Sequence, residues 1–245
     1  MSPRTDTLTL GLMTKFWDVG KVKTRLGVSI GMQRAASLHR LFVSHLSTTL
    51  SHVADRNVAC VSPDRCVSRF EMELQSWGLK GIWDVTPQGD GNLGERIGRW
   101  FAHALGNRTS RAILIGADSP TLGADLIRSA DQRLRTQDVV LGPAADGGYY
   151  LIGLRGPWSS RESCFEPLFR DIPWSTDQVL SVTRQRLAAA GLTHTELETR
   201  EDVDTISELR HLRQSIAASG DAHRELKDGI DQILADPSLD DRCLE

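Results

Sequence analysis

Short runs of strand-forming residues alternate along this chain with longer runs of helical period, and no other feature limits its possible folds as much. From Thr7 to Met13, the residues Leu8, Leu10 and Leu12 recur at a period of two, which predicts a first strand. Met32 to Ala54 carries Ala35, Leu38, Leu41, Phe42, Leu46, Leu50 and Val53 at helical spacing. Asn57 to Val61 and Ile82 to Val85 predict two more strands. A helix opens near Leu93, because Asn92 is a good N-cap and Glu95 stands where a capping box needs it. Leu93, Ile97, Trp100, Phe101 and Ala104 would form its buried face. Ala112 to Ile115 predicts a strand and Leu122 to Leu134 a helix. Val139 to Leu141 and Tyr149 to Leu154 predict further strands, and Asp177 to Ala190 a helix stopped by Gly191. The pattern predicts a three-layer α/β/α fold with a mostly parallel sheet. In such sheets ligands sit beyond the carboxyl ends of the strands, so polar residues that directly follow strands are the candidates for a site.

At 245 residues the chain is long enough for a full core without staples. We expect one domain over residues 1–215, with 216–245 as a C-terminal helical extension of it. In that extension Asp221 to Ala235 predicts a helix with Leu226, Ile230, Ile233 and Leu234 on one side, packed on the body or on a second subunit of a homodimer. Lys plus Arg is 29 against 32 for Asp plus Glu, and the net charge of −3 argues against a nucleic-acid partner. No apolar run approaches the roughly 20 residues that span a bilayer, so no membrane partner is expected. Cys60, Cys66, Cys164 and Cys243 form no C-x-x-C pair and read as reduced thiols of a cytoplasmic protein. His45 and His52 read as helix surface, since no H-E-x-x-H is present.

Four polar segments stand out. Lys15 to Leu26 holds the cations Lys15, Lys21, Lys23 and Arg25 around Gly20, after the first strand. Point charges on a wrapping loop suit a polyphosphate, and the alternation of Lys21, Lys23 and Arg25 would put them on one side of an extended loop. A solvated basic loop fits the same composition. Gly116 to Pro120 follows a strand, and Asp118 is placed either to hold a divalent cation against phosphates or, like Ser119, to cap a helix. Asp146-Gly147-Gly148-Tyr149-Tyr150 would let backbone approach a ligand closely, or form a tight hairpin. In Asp202-Val203-Asp204-Thr205 the carboxylates alternate, so one would face the site, while Asp204 or Thr205 would cap the helix that follows.

Taken in order, these segments resemble a bacterial family of uncharacterised GT-A-type transferases, labelled glycosyltransferases or nucleotide-diphospho-sugar transferases. The resemblance runs from about Leu8 to Leu212 and rests on G-K-V-K-T-R-L (Gly20 to Leu26), G-N-L-G-E-R (Gly91 to Arg96), I-G-A-D-S-P (Ile115 to Pro120), G-P-A-A-D-G-G-Y-Y-L-I-G-L (Gly142 to Leu154), I-P-W-S-T (Ile172 to Thr176) and D-V-D-T (Asp202 to Thr205). More distantly the chain is similar to the 2-phospho-lactate and molybdenum-cofactor guanylyltransferases and the CMP-sugar synthetases. The family's first loop has prolines where this chain has Trp17 and Val19, which predicts a less rigid loop.

The resemblance implies a GT-A fold and a metal-dependent transferase that uses a nucleotide-sugar with a small-molecule acceptor. The alternatives are a nucleotidyltransferase that moves NMP from an NTP to a phosphorylated small molecule, and a non-catalytic nucleotide-binding module. By the same resemblance Lys15, Lys21, Lys23 and Arg25 would hold the phosphates. Gln88, Leu93, Gly94 and Glu95 would lie against the base, with Gly94 leaving room for it. Asp118 and Asp204 would hold Mg²⁺ (or Mn²⁺), and Asp146, Gly147 and Gly148 would border the acceptor. Asp146 is the best candidate for a general base. Trp174 would stack on the acceptor or sit in the core, and Ser175 to Gln178 reads as a capping box without a catalytic role.

Overall fold

The computed structural model describes residues 6–106 and 110–240, so Cys243 lies outside the described residues. The elements run β1 (Leu8–Lys15), α1 (Thr24–Ile30), α2 (Met32–Thr49), β2 (Arg56–Ser62), α3 (Val67–Ser76), β3 (Trp83–Pro87), α4 (Leu93–Leu105) and β4 (Arg111–Gly116). They continue with α5 (Ala124–Leu134), β5 (Val139–Pro143), β6 (Tyr149–Arg155), α6 (Glu162–Phe165), α7 (Val179–Ala189), β7 (His194–Glu196), α8 (Ile206–Ala218) and α9 (Arg224–Ala235). The seven strands form one sheet in the order β3-β2-β1-β4-β6-β5-β7. β6 is antiparallel to both of its neighbours, and the remaining pairs are parallel. The expected three-layer α/β architecture is present.

Strand alternation divides the core between the two faces of the sheet. Leu10, Leu12, Ile113 and Ile115 pack with Val43, Leu46 and Ile127 on one face. Leu114 and Ile152 pack with Ile97, Trp100, Phe101 and Leu187 on the other. Gly11 in β1 makes the second packing possible, since a Cβ there would stand 2.3 Å from the Trp100 ring. A third cluster joins Leu26 and Phe42 to Leu209, Leu212, Leu226 and Ile230, so the C-terminal helix α9 packs on the body. None of the helices among the described residues is long and apolar enough to cross a membrane.

Local differences from the sequence reading have physical causes. Leu93 is 40% exposed at the start of α4 rather than part of its buried face. α2 ends at Thr49, so His52 lies in the turn beyond it. The expected Ser175 to Gln178 cap is absent: Gln178 precedes α7 without a side-chain cap, and Ser175 takes a left-handed φ of 65°. α1, α3 and β7 are short elements that the apolar periodicity did not reveal.

Candidate functional site

A cleft of about 740 Å³ opens at the carboxyl ends of β1 and β4. Lys15, Lys21, Lys23, Gln88, Leu93, Asp118, Asp146, Gly148, Trp174 and Asp204 all line it. Its centre is an ion cluster. The Lys23 ammonium donates to Asp118 and, at 3.3 Å, to Asp204. The lysine side chain is 1% exposed, whereas the two carboxylates are 47% and 41% exposed, so the carboxylates face the open cleft and the lysine lies buried in its wall. Burial alone would lower the lysine's pKa, but the two aspartates outweigh it and the net shift is upward. Burial alone would raise that of Asp118, but Lys23 and then His39 outweigh it and the net shift is downward. The pair is therefore ionised.

Backbone geometry brings these residues together. Lys23 has φ 44° and ψ 42° and precedes α1, which turns its side chain inward beneath the loop. The Val203 amide donates to the Asp118 carbonyl at 2.9 Å, tying the late segment to the end of β4. Thr205 caps α8 through a capping box with Glu208, which leaves the Asp204 carboxylate free for Lys23. The predicted alternation does not keep Asp202 out: it also lines the cleft and accepts from the Ser119 hydroxyl. Burial, then the charges of Asp118, Asp146 and Asp204, push its carboxyl up to about 6 against the opposing Ser119 bond. Beneath the loop, His39 Nε2 stands 3.0 Å from the Lys15 carbonyl and so carries the ring proton. Burial pushes its pKa down to about 4, which keeps the ring neutral.

Several expected roles are corrected. Arg25 is exposed on α1 and is not part of the cleft wall, because the chain turns helical at Thr24 and the extended alternation is lost. The Gln88 amide is committed to protein: it donates to the Thr14 and Cys60 carbonyls, each at 3.0 Å, and shapes the wall. The Glu95 carboxylate closes the predicted capping box on the Asn92 amide at 2.8 Å and stands off the wall. The space left by Gly94 is filled by protein, since a Cβ there would meet the Phe169 carbonyl and the Trp174 indole nitrogen. Gly147 also serves packing, with a φ of 90° and the Asp177 backbone directly against it. The Asp146 carboxylate accepts from the Gly148 amide at 2.9 Å, as in the tight-turn reading, and still lines the cleft. The basic loop is not loose: Trp17 is buried, stacks on Phe16 at 4.3 Å and packs on Phe70 and Trp77.

Residues 46–176 match a family described as "Uncharacterized protein conserved in bacteria (DUF2064)". The chain belongs to this family. No curated protein matches it. Among solved structures, a candidate nucleotide-diphospho-sugar transferase from Desulfovibrio desulfuricans G20 is similar at 29% identity and a TM-score of 0.78, with 92% of this chain and 97% of that one covered. The 4-diphosphocytidyl-2C-methyl-D-erythritol synthase of Anaerococcus prevotii shares the fold at 10% identity and a TM-score of 0.57, covering 87% of this chain and 100% of that one. A nucleotidyl transferase from Methanothermobacter thermautotrophicus does so at 13% identity and 0.57, covering 87% and 99%.

In this DUF2064 protein, the cleft-wall residues that sequence reasoning missed include Asp202, His39, Arg96, Tyr149, Ser175 and Thr176. The first was discounted by strand alternation in a segment that is not a strand. His39 sits within a helical apolar pattern and carries no sequence signal of its own. Among the described residues, no group of three or more His, Cys, Asp and Glu forms a metal cage. Mg²⁺ needs none, since it takes one or two carboxylates and completes its shell with water and phosphate.

Proposed function

We propose that this protein is a metal-dependent transferase that acts on a nucleotide-sugar and passes its sugar to a small-molecule acceptor. The observation that carries the reading is the meeting of Asp118 and Asp204 on one ammonium, at the carboxyl edge of a parallel sheet and beside two further lysines. The donor set fits a divalent ion: two hard carboxylate oxygens already face one cation, and Mg²⁺ or Mn²⁺ would take the place that Lys23 holds. Bound there, the ion would neutralise charge on the phosphates and on the leaving diphosphate. Lys23, displaced from the carboxylates, would turn to the phosphates alongside Lys15 and Lys21. The three ammonium groups then meet negative charge as it develops on the departing group, an electrostatic stabilisation that needs no covalent intermediate. Leu93, exposed at the start of α4, offers an apolar surface to the base. Asp146, on the turn before β6, lines the cleft and would receive the acceptor's proton.

A second reading, transfer of a nucleotidyl group from a triphosphate, is favoured by the presence of three lysines on one wall. A thermal-shift panel of nucleoside triphosphates and nucleotide-sugars, with and without Mg²⁺, tests both. A ligand at 100 times its dissociation constant adds about 2.7 kcal/mol. Mg²⁺-dependent stabilisation by nucleotide-sugars supports the first reading, and stabilisation by triphosphates alone the second. No shift with any nucleotide removes both.

A further inference from the structure

Beside the three lysines the cleft wall carries a further cation, Arg96. The lysines lie at the end of β1 and on the loop after it, whereas Arg96 stands on α4, three positions past Leu93. Its guanidinium is held but not used up. Nε donates to the Gly91 carbonyl at 2.9 Å and Nη1 to the Gln88 side-chain oxygen at 3.3 Å. The Gln88 amide nitrogen is itself fixed on the Thr14 and Cys60 carbonyls, which turns its oxygen toward Arg96. Among the described residues Nη2 has no hydrogen-bond partner, and it is not buried. The two bonds made by its neighbours hold the guanidinium in place from the protein side. A donor fixed in this way discriminates between ligands, because it cannot turn away from a group that does not accept.

The other side chains of this edge agree with it. Asn92, also on the wall, accepts the Glu95 amide at 3.1 Å through its Oδ1, which leaves the Nδ2 donor as its free end. The Glu95 carboxylate is taken by the Asn92 amide, off the wall, and the Gln88 oxygen by Arg96. The free polar ends of Asn92 and Arg96 are therefore donors, with the exposed Leu93 between them in sequence. An apolar surface beside fixed donors suits a planar ring with an acceptor on its edge. A phosphate gains nothing from Leu93, and the lysines offer it charge elsewhere on the wall. The nucleobases differ in the required respect. Guanine and uracil present a carbonyl oxygen where adenine and cytosine present an amino group. An amino group against Nη2 would set donor against donor and leave both unpaired.

Resting on the nucleotide reading of this cleft, we propose that Arg96 reads the base, and that the cleft takes a keto base, guanine or uracil, in preference to adenine or cytosine. Titration calorimetry with GDP, IDP, ADP, UDP and CDP in the presence of Mg²⁺ tests it. In whichever ring size binds, the keto nucleotide should bind about tenfold or more tightly than its amino counterpart, in line with one hydrogen bond from a charged donor. IDP keeps the 6-carbonyl and lacks the 2-amino group, so it should match GDP. Arg96→Met should bring the keto nucleotide down to the affinity of the amino one and leave the amino one unchanged. Arg99→Met loosens the same loop from outside the cleft, since Arg99 holds the Gln88 and Asp90 carbonyls, and should keep the preference. Equal losses for both nucleotides in Arg96→Met would place the arginine on the phosphates and overturn the proposal. A preference that survives Arg96→Met, or one that Arg99→Met abolishes as fully, also overturns it. A parent that binds keto and amino nucleotides alike overturns it and leaves the nucleotide reading standing, whereas a parent that binds no nucleotide removes both.

Discussion

The ammonium of Lys23 reaches two carboxylates from a side chain that is 1% exposed, so its removal acts on folding as well as on binding. Breaking a fully buried pair costs about 3–5 kcal/mol, but these carboxylates open to the cleft and remain hydrated, which reduces the expected loss to about 1–2 kcal/mol. Lys23→Ala should therefore lower the urea midpoint, and millimolar Mg²⁺ should restore part of the loss, because the ion would replace the missing charge. No recovery with Mg²⁺ would mean that the two aspartates do not form an ion site. Nucleotide affinity in the same variant should fall by roughly 1.5–3 kcal/mol, the range for a lost charge-assisted hydrogen bond. Calorimetry on Asp118→Asn, Asp204→Asn and the double variant provides a second check. Both single changes should remove the Mg²⁺-dependent part of nucleotide binding, and the double change should add little, since both side chains would serve one ion. Additive losses would assign the aspartates to separate tasks. The resemblance of the ordered motifs to the transferase family implied one site for Lys23 and both aspartates. It did not reveal that the lysine turns inward, because that depends on a single left-handed φ in a non-glycine residue.

At the scale of elements, α4 illustrates what periodicity can and cannot reveal. Its start and its capping box are legible in Asn92 and Glu95, and its buried face in Ile97, Trp100 and Phe101. The function of Gly94 is not legible, because the residue that fills its space comes from far along the chain. The Phe169 carbonyl stands where a Cβ would go, 1.9 Å from its ideal position. Gly94→Ala should consequently cost stability, about 1–3 kcal/mol for an overpacked contact, and shift the segment that carries Trp174. Leu93→Ala, one residue earlier and 40% exposed, should leave the midpoint unchanged and weaken nucleotide binding. Urea denaturation and calorimetry on the two variants separate the roles; a stable Gly94→Ala protein would show that the segment moves freely. The basic loop gives the same lesson. Prolines stiffen a loop through φ, whereas Trp17 does so by burial against Phe16, Phe70 and Trp77, and nothing local in the sequence distinguishes a buried loop tryptophan from an exposed one.

Over the whole molecule, the strand–helix alternation was sufficient to read the layers and the carboxyl edge that carries the cleft, since both follow from local period. The antiparallel insertion of β6 between β4 and β5 was not legible, because strand order is set by contacts distant in sequence. One buried carboxylate joins the segments that this insertion brings together. Asp138 precedes β5 and accepts from Arg155 at 2.8 Å, from Arg161 at 2.7 Å, and from the Thr193 amide and hydroxyl at 3.0 and 2.8 Å. Those four donors occupy all the acceptor sites that a carboxylate offers. Burial acts to raise its pKa, but the two arginines and Thr193 more than offset it and hold the group well below the usual carboxylate range. Its side chain is 8% exposed, so an amide in its place would set an N–H against donors and leave two guanidinium groups uncompensated. Asp138→Asn should cost about 3 kcal/mol at neutral pH. The sign of the pH effect follows from linkage. With a folded pKa below its unfolded value of 3.8, the group contributes fully above that value and loses its contribution as the pH falls toward the folded one. The stability gap between parent and Asp138→Asn should therefore be constant from pH 8 to about pH 5 and shrink below about pH 4. Urea unfolding of both proteins across that range checks it. A gap that persists undiminished into acid would mean that shape, rather than charge, makes Asp138 the joint between these strands.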